Sequence, residues 1–379
     1  QMQKLWRDRM RELLEDSGKL DRALLNYDPP AGNPEFRESF AAFLKRECGW
    51  NVSAENVCVL PSSQTAFFLL FNLLAGEGGS GGRKHILLPL LPEYIGYANQ
   101  GSCRDFFTAC LPRIEERGAH EFKYHIDFDR LRITPEVAGV CVSCPTNPTG
   151  NVISQEEFDR LKQLTARHRV PLIIDNAYGH PFPGVIYTGF RPQWDENMIF
   201  SISMSKVGLP GVRTSMIVAA PHIVKALSNM NAIVSLSNGN LGQAILLPLL
   251  GDDSLVRLSR EIIAPFYRHR SDHALSVLQH ELGDNVPWAV HSRDGAFFLW
   301  LWLKNLPISA ADLYQRLKQK KVLVIPGHYF SFGLELPWPH AAQCLRLTFS
   351  QPEHVVREGL EILAEEVREI YAVGSVRQD

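Results

Sequence analysis

Lys206 closes the run Ser201-Ile-Ser-Met-Ser-Lys206 and is followed by Val207-Gly-Leu-Pro-Gly-Val-Arg213. A lysine just past an apolar strand, among serines and glycines and close to an arginine, is poorly suited to a core. It suits an amine that condenses with an aldehyde cofactor beside a bound phosphate. Four other segments carry complementary residue types. Pro61-Ser62-Ser63-Gln64 lies between a strand and a helix, so its backbone N–H groups form an anion site matched to a phosphate monoester. A plain serine N-cap also accounts for that segment. In Pro145-Thr-Asn147-Pro-Thr-Gly150, Asn147 offers a donor and an acceptor at the carboxyl edge of a sheet, or belongs to a structural turn. Pro171-Leu-Ile-Ile-Asp175-Asn-Ala-Tyr178 ends an apolar strand with a carboxylate. Asp175 there suits pairing with a ring nitrogen, which it keeps protonated, while the Tyr178 phenol bonds a ring oxygen. The competing reading is an aspartate N-cap. Finally, Cys344-Leu-Arg346-Leu-Thr-Phe349 puts a guanidinium inside an apolar strand, where it needs either a substrate carboxylate or a buried salt bridge.

The elements that must position these residues are legible as short apolar runs alternating with helical patterns from about residue 51 to 220. That alternation is the mark of a parallel sheet with crossover helices. Strands are expected at 57–60, 85–88, 139–142, 172–175 and 198–203, with a helix over 65–75. A capping box at Ser154 and Glu157 starts another helix, and Asn33-Pro34 starts one over 35–48. The last third reads as a smaller α+β unit. It has a helical region over 254–283, strands at 295–303, 322–325 and 344–349, a helix over 310–320, and a closing helix from about residue 352. The expected division is a large domain over 51–260 and a small one made of 1–50 and 261–379.

Taken in order, the phosphate loop, Asn147, Asp175 with Tyr178, Lys206, Arg213 and distal Arg346 resemble the class I/II aminotransferases over nearly the whole chain. These enzymes depend on pyridoxal 5′-phosphate (PLP) and have fold type I. The strings 26–32, 92–97, 147–153, 175–179, 181–184, 326–330 and 337–340 are similar to the valine–pyruvate branch of that family. The resemblance implies an α/β fold with a large, mostly parallel sheet of the seven-stranded type, helices on both faces and a smaller α+β domain. It implies that Ser62, Ser63 and Gln64 hold the phosphate with Ser203, Ser205 and Arg213. Tyr94 would stack on the pyridine face, Asp175 would pair with the ring nitrogen, and Asn147 and Tyr178 would bond the ring oxygen. Lys206 would form the covalent link to the cofactor and move the Cα proton, and Arg346, with Asn147, would meet the substrate. Tyr27 would reach the phosphate of a neighbouring subunit in a homodimer with shared active sites. The implied reaction exchanges an amino group between valine or alanine and a 2-oxo acid, either pyruvate or 3-methyl-2-oxobutanoate. Other reactions on the same scaffold, another aminotransferase or a β-elimination lyase, and a non-catalytic PLP-binding regulator are the alternatives. Arg213 follows Lys206 by seven residues where many relatives use eight. The chain opens on Gln1-Met2 inside a helical pattern. That opening inside a helix points to a natural start upstream; relatives carry a glycine-rich arm ahead of this point, which here is missing or lies outside this sequence.

Other motifs and bulk properties narrow the field. Over 379 residues the chain is 45% hydrophobic and 21% charged with a formal net charge of −2, which gives no electrostatic reason to expect nucleic acid or an anionic membrane as partner. No apolar run approaches the roughly 18–20 residues of a membrane span. Seven scattered cysteines fit reduced thiols and a cytoplasmic location. Gly76-Glu-Gly78-Gly-Ser-Gly81 follows a helix and precedes a strand, the reverse of a dinucleotide fingerprint, and is expected to be a surface loop. Cys141-Val-Ser-Cys144 lies along a strand, and His120 and His125 are five apart, so neither supplies a metal site.

Overall fold

The structure, a computed structural model, describes residues 1–78 and 82–376. Two sheets organise it. In chain order the strands are β1 (Val57–Leu60), β2 (Gly76–Gly78), β3 (Gly82–Leu88), β4 (Phe107–Ala109), β5 (Arg113–Glu116), β6 (Glu121–His125), β7 (Val137–Ser143), β8 (Leu172–Asp175), β9 (Met198–Ser203), β10 (Ser215–Val218), β11 (Trp288–His291), β12 (Phe298–Leu303), β13 (Ile325–Pro326) and β14 (Cys344–Thr348). The larger sheet runs β1-β10-β9-β8-β7-β3, with β4 on β3, and β2 folds back as a hairpin onto β3. Pairings among β9, β8, β7, β3 and β4 are all parallel, and β10 runs against both of its neighbours.

Alternation along each strand explains why this sheet is covered on both faces. Val57, Val59, Val140, Val142, Leu172, Ile174, Phe200 and Met216 point into one core, and Cys58, Leu60, Cys141, Ile173, Ile199 and Ile217 into another. The first core is closed by α3 (Pro34–Cys48), through Phe36, Phe40 and Phe43, and by α5 (Gln155–His168), through Phe158 and Leu161. The second is closed by α4 (Ser63–Leu74) and α6 (Pro221–Ser235). α5 starts on the expected capping box: Ser154 Oγ accepts from Glu157 N at 3.0 Å and Glu157 Oε2 accepts from Ser154 N at 2.8 Å.

The smaller sheet has the order β13-β14-β12-β11-β6-β5. Its outer face packs on α9 (Ala264–Leu282), α10 (Ala310–Gln319) and α11 (Glu353–Val376). The 322–325 strand is not formed as expected; pairing there is confined to β13. Gly76–Gly78, expected in a loop, forms β2, and residues 79–81 of that loop lie outside the described residues.

Two segments pack differently from the expected division. Residues 113–125 fall within the 51–260 span, yet as β5 and β6 they extend the smaller sheet through parallel pairing of β6 with β11. Residues 1–50 pack mainly on the larger sheet's side rather than with 261–379. α1 (Met2–Glu15) and α2 (Ser17–Leu25) contact α7 (Leu241–Leu246), which precedes α8 (Ser254–Leu258), and α3 contacts β1. The physical reason is the Phe36/Phe40/Phe43 stripe on α3, which finds its apolar partners under the central sheet.

Candidate active site at the carboxyl edge of the central sheet

Parallel strands bring their carboxyl ends to one edge, and here three polar residues come into register there. Ser143 of β7 lies opposite Asp175 of β8, and Asp175 lies opposite Ser201 of β9. Such an edge is where open α/β sheets bind ligands. A cavity of about 200 Å³ opens over it, lined by Ser62, Ser63, Gln64, Tyr94, Asn147, Asp175, Tyr178, Ser203, Ser205, Lys206 and Arg213, together with Phe67, Ser143, Pro145 and Ala177. Of the residues singled out in the sequence, only Tyr27 and Arg346 are absent from this lining.

Asp175 is the most constrained of them. Its Oδ2 accepts from the Tyr97 hydroxyl at 2.6 Å, while Oδ1 is buried and has no hydrogen-bond partner. Burial raises the carboxyl to about 6, against the lowering effects of the Tyr97 hydroxyl and the Lys206 charge. A buried acceptor without a donor costs stability. Its retention beside a cavity marks it as waiting for a ligand donor.

Lys206 sits in a short turn, Met204–Val207, directly after β9. Ser203 caps this turn by accepting from Ser205 N at 3.2 Å, and buried Met204 and Val207 anchor it. Trp6 of α1 donates to Val207 O at 2.9 Å, so the first helix fixes the backbone next to Lys206. Burial lowers the Lys206 pKa, partly opposed by Asp175. Arg213 closes the same connection in a left-handed conformation (φ 49°). On the facing side, Ser62 caps α4 by accepting from Thr65 N at 3.0 Å. The serine N-cap reading holds, with Ser62 Oγ taken up by the cap, while the first-turn amides of Ser63 and Gln64 have no helical carbonyl to bond. Ser63 Oγ accepts from Ser201 at 3.0 Å and keeps its own hydrogen to donate.

Arg346 meets the cavity through Asn147. Alternation on β14 sends Leu345 and Leu347 into the outer core, so Arg346 faces the other way, in register with Trp300. Its Nη1 donates to Asn147 Oδ1 at 2.7 Å, and its guanidinium lies 4.5 Å from the Phe298 ring centroid and 5.2 Å from that of Phe330. Among the described residues no carboxylate forms an ion pair with it, which removes the buried salt-bridge reading. The Asn147 turn depends on Gly150 (φ 71°), where a Cβ would come within 2.5 Å of Gly295 O. Burial raises the pKa of the neighbouring Tyr178 phenol.

An α/β sheet with a lysine, a carboxylate and an arginine around one edge cavity is a narrow set of features, and comparison with known proteins decides among its holders. Residues 6–363 match the family model described as aminotransferase class I and II. The chain belongs to the class I and II aminotransferases. This aminotransferase is 44% identical over 372 residues to the valine–pyruvate aminotransferase of Escherichia coli (strain K12), covering 98% of this chain and 89% of that one. Among solved structures it superposes with TM-score 0.95 on a putative amino-acid aminotransferase from Psychrobacter arcticum 273-4, at 40% identity over 98% of this chain and 89% of that one. With the valine–pyruvate aminotransferase of Salmonella typhimurium LT2 the TM-score is 0.91 at 43% identity, covering 98% and 93%. Among the described residues no helix is long and apolar enough to cross a membrane.

Three features of the aminotransferase cavity were not singled out from the sequence as functional. Tyr97, one turn after Tyr94, holds Asp175. Ser143, on the cavity lining, bonds the fully buried Glu93 behind it. Tyr97 had a signal in the Tyr94-Ile-Gly-Tyr97 spacing, since Gly96 leaves room for the Tyr94 ring: a Cβ there would lie 2.3 Å from it. Tyr27 is 82% exposed and takes no part in its own chain's cavity.

Proposed function

We propose that the protein is a PLP-dependent aminotransferase exchanging the amino group between valine or alanine and pyruvate or 3-methyl-2-oxobutanoate. The observation that carries this reading is Asp175 Oδ1, a buried acceptor without a donor, on the wall of the cavity that also holds Lys206. PLP fits that set. Its protonated ring nitrogen is the donor Oδ1 lacks, and its phosphate suits the α4 amides with Ser63, Ser203, Ser205 and Arg213. Bound there, it supplies an aldehyde and an electron-accepting ring that makes the Cα–H of an attached amino acid acidic.

The chain's own groups do the rest. Asp175 would keep the ring nitrogen protonated. The Tyr178 hydroxyl and Asn147 Nδ2 would serve as donors to the ring oxygen, and Tyr94 would pack on the ring. Burial favours the neutral amine of Lys206, so its Nζ takes up the Cα proton as a base and returns it as an acid. Arg346 holds the substrate α-carboxylate. With Lys206 and Arg213 committed, no cation of this cavity lining remains for a second, side-chain carboxylate, which favours neutral amino acids such as valine over aspartate. We assign a cytoplasmic homodimer: the seven cysteines are all free, and Leu24, Leu25 and Tyr27 form an exposed run suited to a second subunit.

The test is an oxo-acid panel run on the wild type and on Arg346→Lys. Valine with pyruvate should give alanine without ammonia. The variant should lose about 10- to 100-fold in amino-acid KM, because lysine cannot reproduce bidentate carboxylate binding. Ammonia release in place of exchange would contradict the reading.

A further inference from the structure

Glu93 is fully buried (0% exposed) beside the cavity, and the reaction above gives it no task. Its Oε1 accepts from Ser143 N at 2.5 Å, and its Oε2 accepts from Ser143 Oγ at 2.8 Å and from Tyr94 N at 2.7 Å. Its own N–H donates to Phe330 O at 2.9 Å. One residue is thus bonded to three walls of the site: the Tyr94 segment, the end of β7 and the residue whose ring packs by Arg346.

The sheet explains why an acceptor is needed here. Pairing of β3 with β7 stops at Leu87↔Val140, so the amide of Ser143 has no strand partner on that side. Three buried donors converge on that place. A carboxylate answers them, since it has acceptor capacity on both oxygens and no hydrogen of its own to oppose them. Glutamine would put an NH2 group against at least one donor. Burial pushes the carboxyl up to about 8 against its three hydrogen bonds, so the carboxylate that accepts from all three donors prevails above that pH, and below it the one added hydrogen must point away from them. Asp175 on β8, Tyr97 on the same segment, Cys141 on β7 and Cys144 just past it are the titratable groups around it.

We propose that Glu93 is a positioning residue for the reaction, locking the Tyr94–Tyr97 segment to the end of β7 so that the Tyr94 ring and the Asp175 carboxylate face one cofactor ring from fixed places. Through Tyr94 it sets the ring face. Through Tyr97, on the same turn, it sets the angle of Asp175. This rests on the PLP reading above.

The experiment titrates cofactor-free protein with PLP by tryptophan fluorescence, for the wild type, Glu93→Gln and Ser143→Ala. It also records the melting temperature of each cofactor-free protein and the pH midpoint of the visible absorbance change of each loaded one. Glu93→Gln should weaken PLP binding about tenfold or more, the loss expected when buried donors face a like donor. Its absorbance midpoint should shift, while cofactor-free melting stays within about 5 °C of wild type. Ser143→Ala, which removes one of the three contacts, should weaken binding by less. Wild-type affinity and midpoint in Glu93→Gln would overturn the proposal; should that variant not fold, unchanged values in Ser143→Ala would do the same. A wild type that binds no PLP would overturn the cofactor reading beneath it.

Discussion

Lys206→Ala should lose transamination by about 10⁴-fold, the upper range for removing a positioned acid–base group. The variant should fold, because Lys206 is only partly buried and its turn is held by Met204, Val207 and the Trp6 hydrogen bond. Circular dichroism and melting of the cofactor-free variant check that the loss is chemical. Residual activity should respond to added small primary amines, which can stand in for the missing Nζ in moving the Cα proton. Turnover near wild type would leave the valine-to-pyruvate proposal without its proton carrier.

Asp175→Asn should separate activity from stability, and in opposite directions. Activity should fall about 10²- to 10³-fold, the usual loss when one preorganised electrostatic partner is removed. The cofactor-free variant should nevertheless be more stable than the cofactor-free wild type at alkaline pH. A carboxyl at about 6 in the fold and 3.8 when unfolded binds its proton more tightly in the native state. Below pH 4 both states hold the proton and no penalty arises. As pH climbs through about 6 the folded carboxyl must ionise in a buried place, at a cost of up to about 3 kcal/mol. Asparagine removes that cost and still offers an oxygen to the Tyr97 hydroxyl. Melting temperatures should therefore diverge from pH 4 to pH 8, with the variant higher. Equal curves would show that Asp175 carries no strain awaiting a ligand.

Why these residues were legible in sequence, and others not, follows from how each is positioned. Asp175 ends a strand that is otherwise apolar and Lys206 stands three residues past a buried one, and a charged group in that place needs a reason that composition alone cannot supply. Arg346 was legible in the same way, flanked by Leu345 and Leu347. Five strands of the central sheet, β1, β3, β7, β8 and β9, were readable because burial on both faces leaves continuous apolar runs, whereas the short β2, β4 and β10 were not picked out. β5 and β6 were not: Arg113–Glu116 is mostly polar, and β6 finds its parallel partner β11 far along the chain. Residues 1–50 were placed with the wrong neighbours for a related reason. The amphipathic stripe of α3 says that a face is buried, but not against what. Glu93 bonds Ser143, a partner brought close only by the fold, so nothing local sets it apart from other residues of a loop.

The most direct measurement is borohydride reduction of the purified protein after loading with PLP, followed by peptide mapping of the labelled chain. The visible absorbance should vanish on reduction, and the phosphopyridoxyl group should sit on the peptide containing Lys206 and on no other. Label on a different lysine, or no stable label at all, would contradict the assignment of Lys206 as the amine that faces Asp175 across the cofactor.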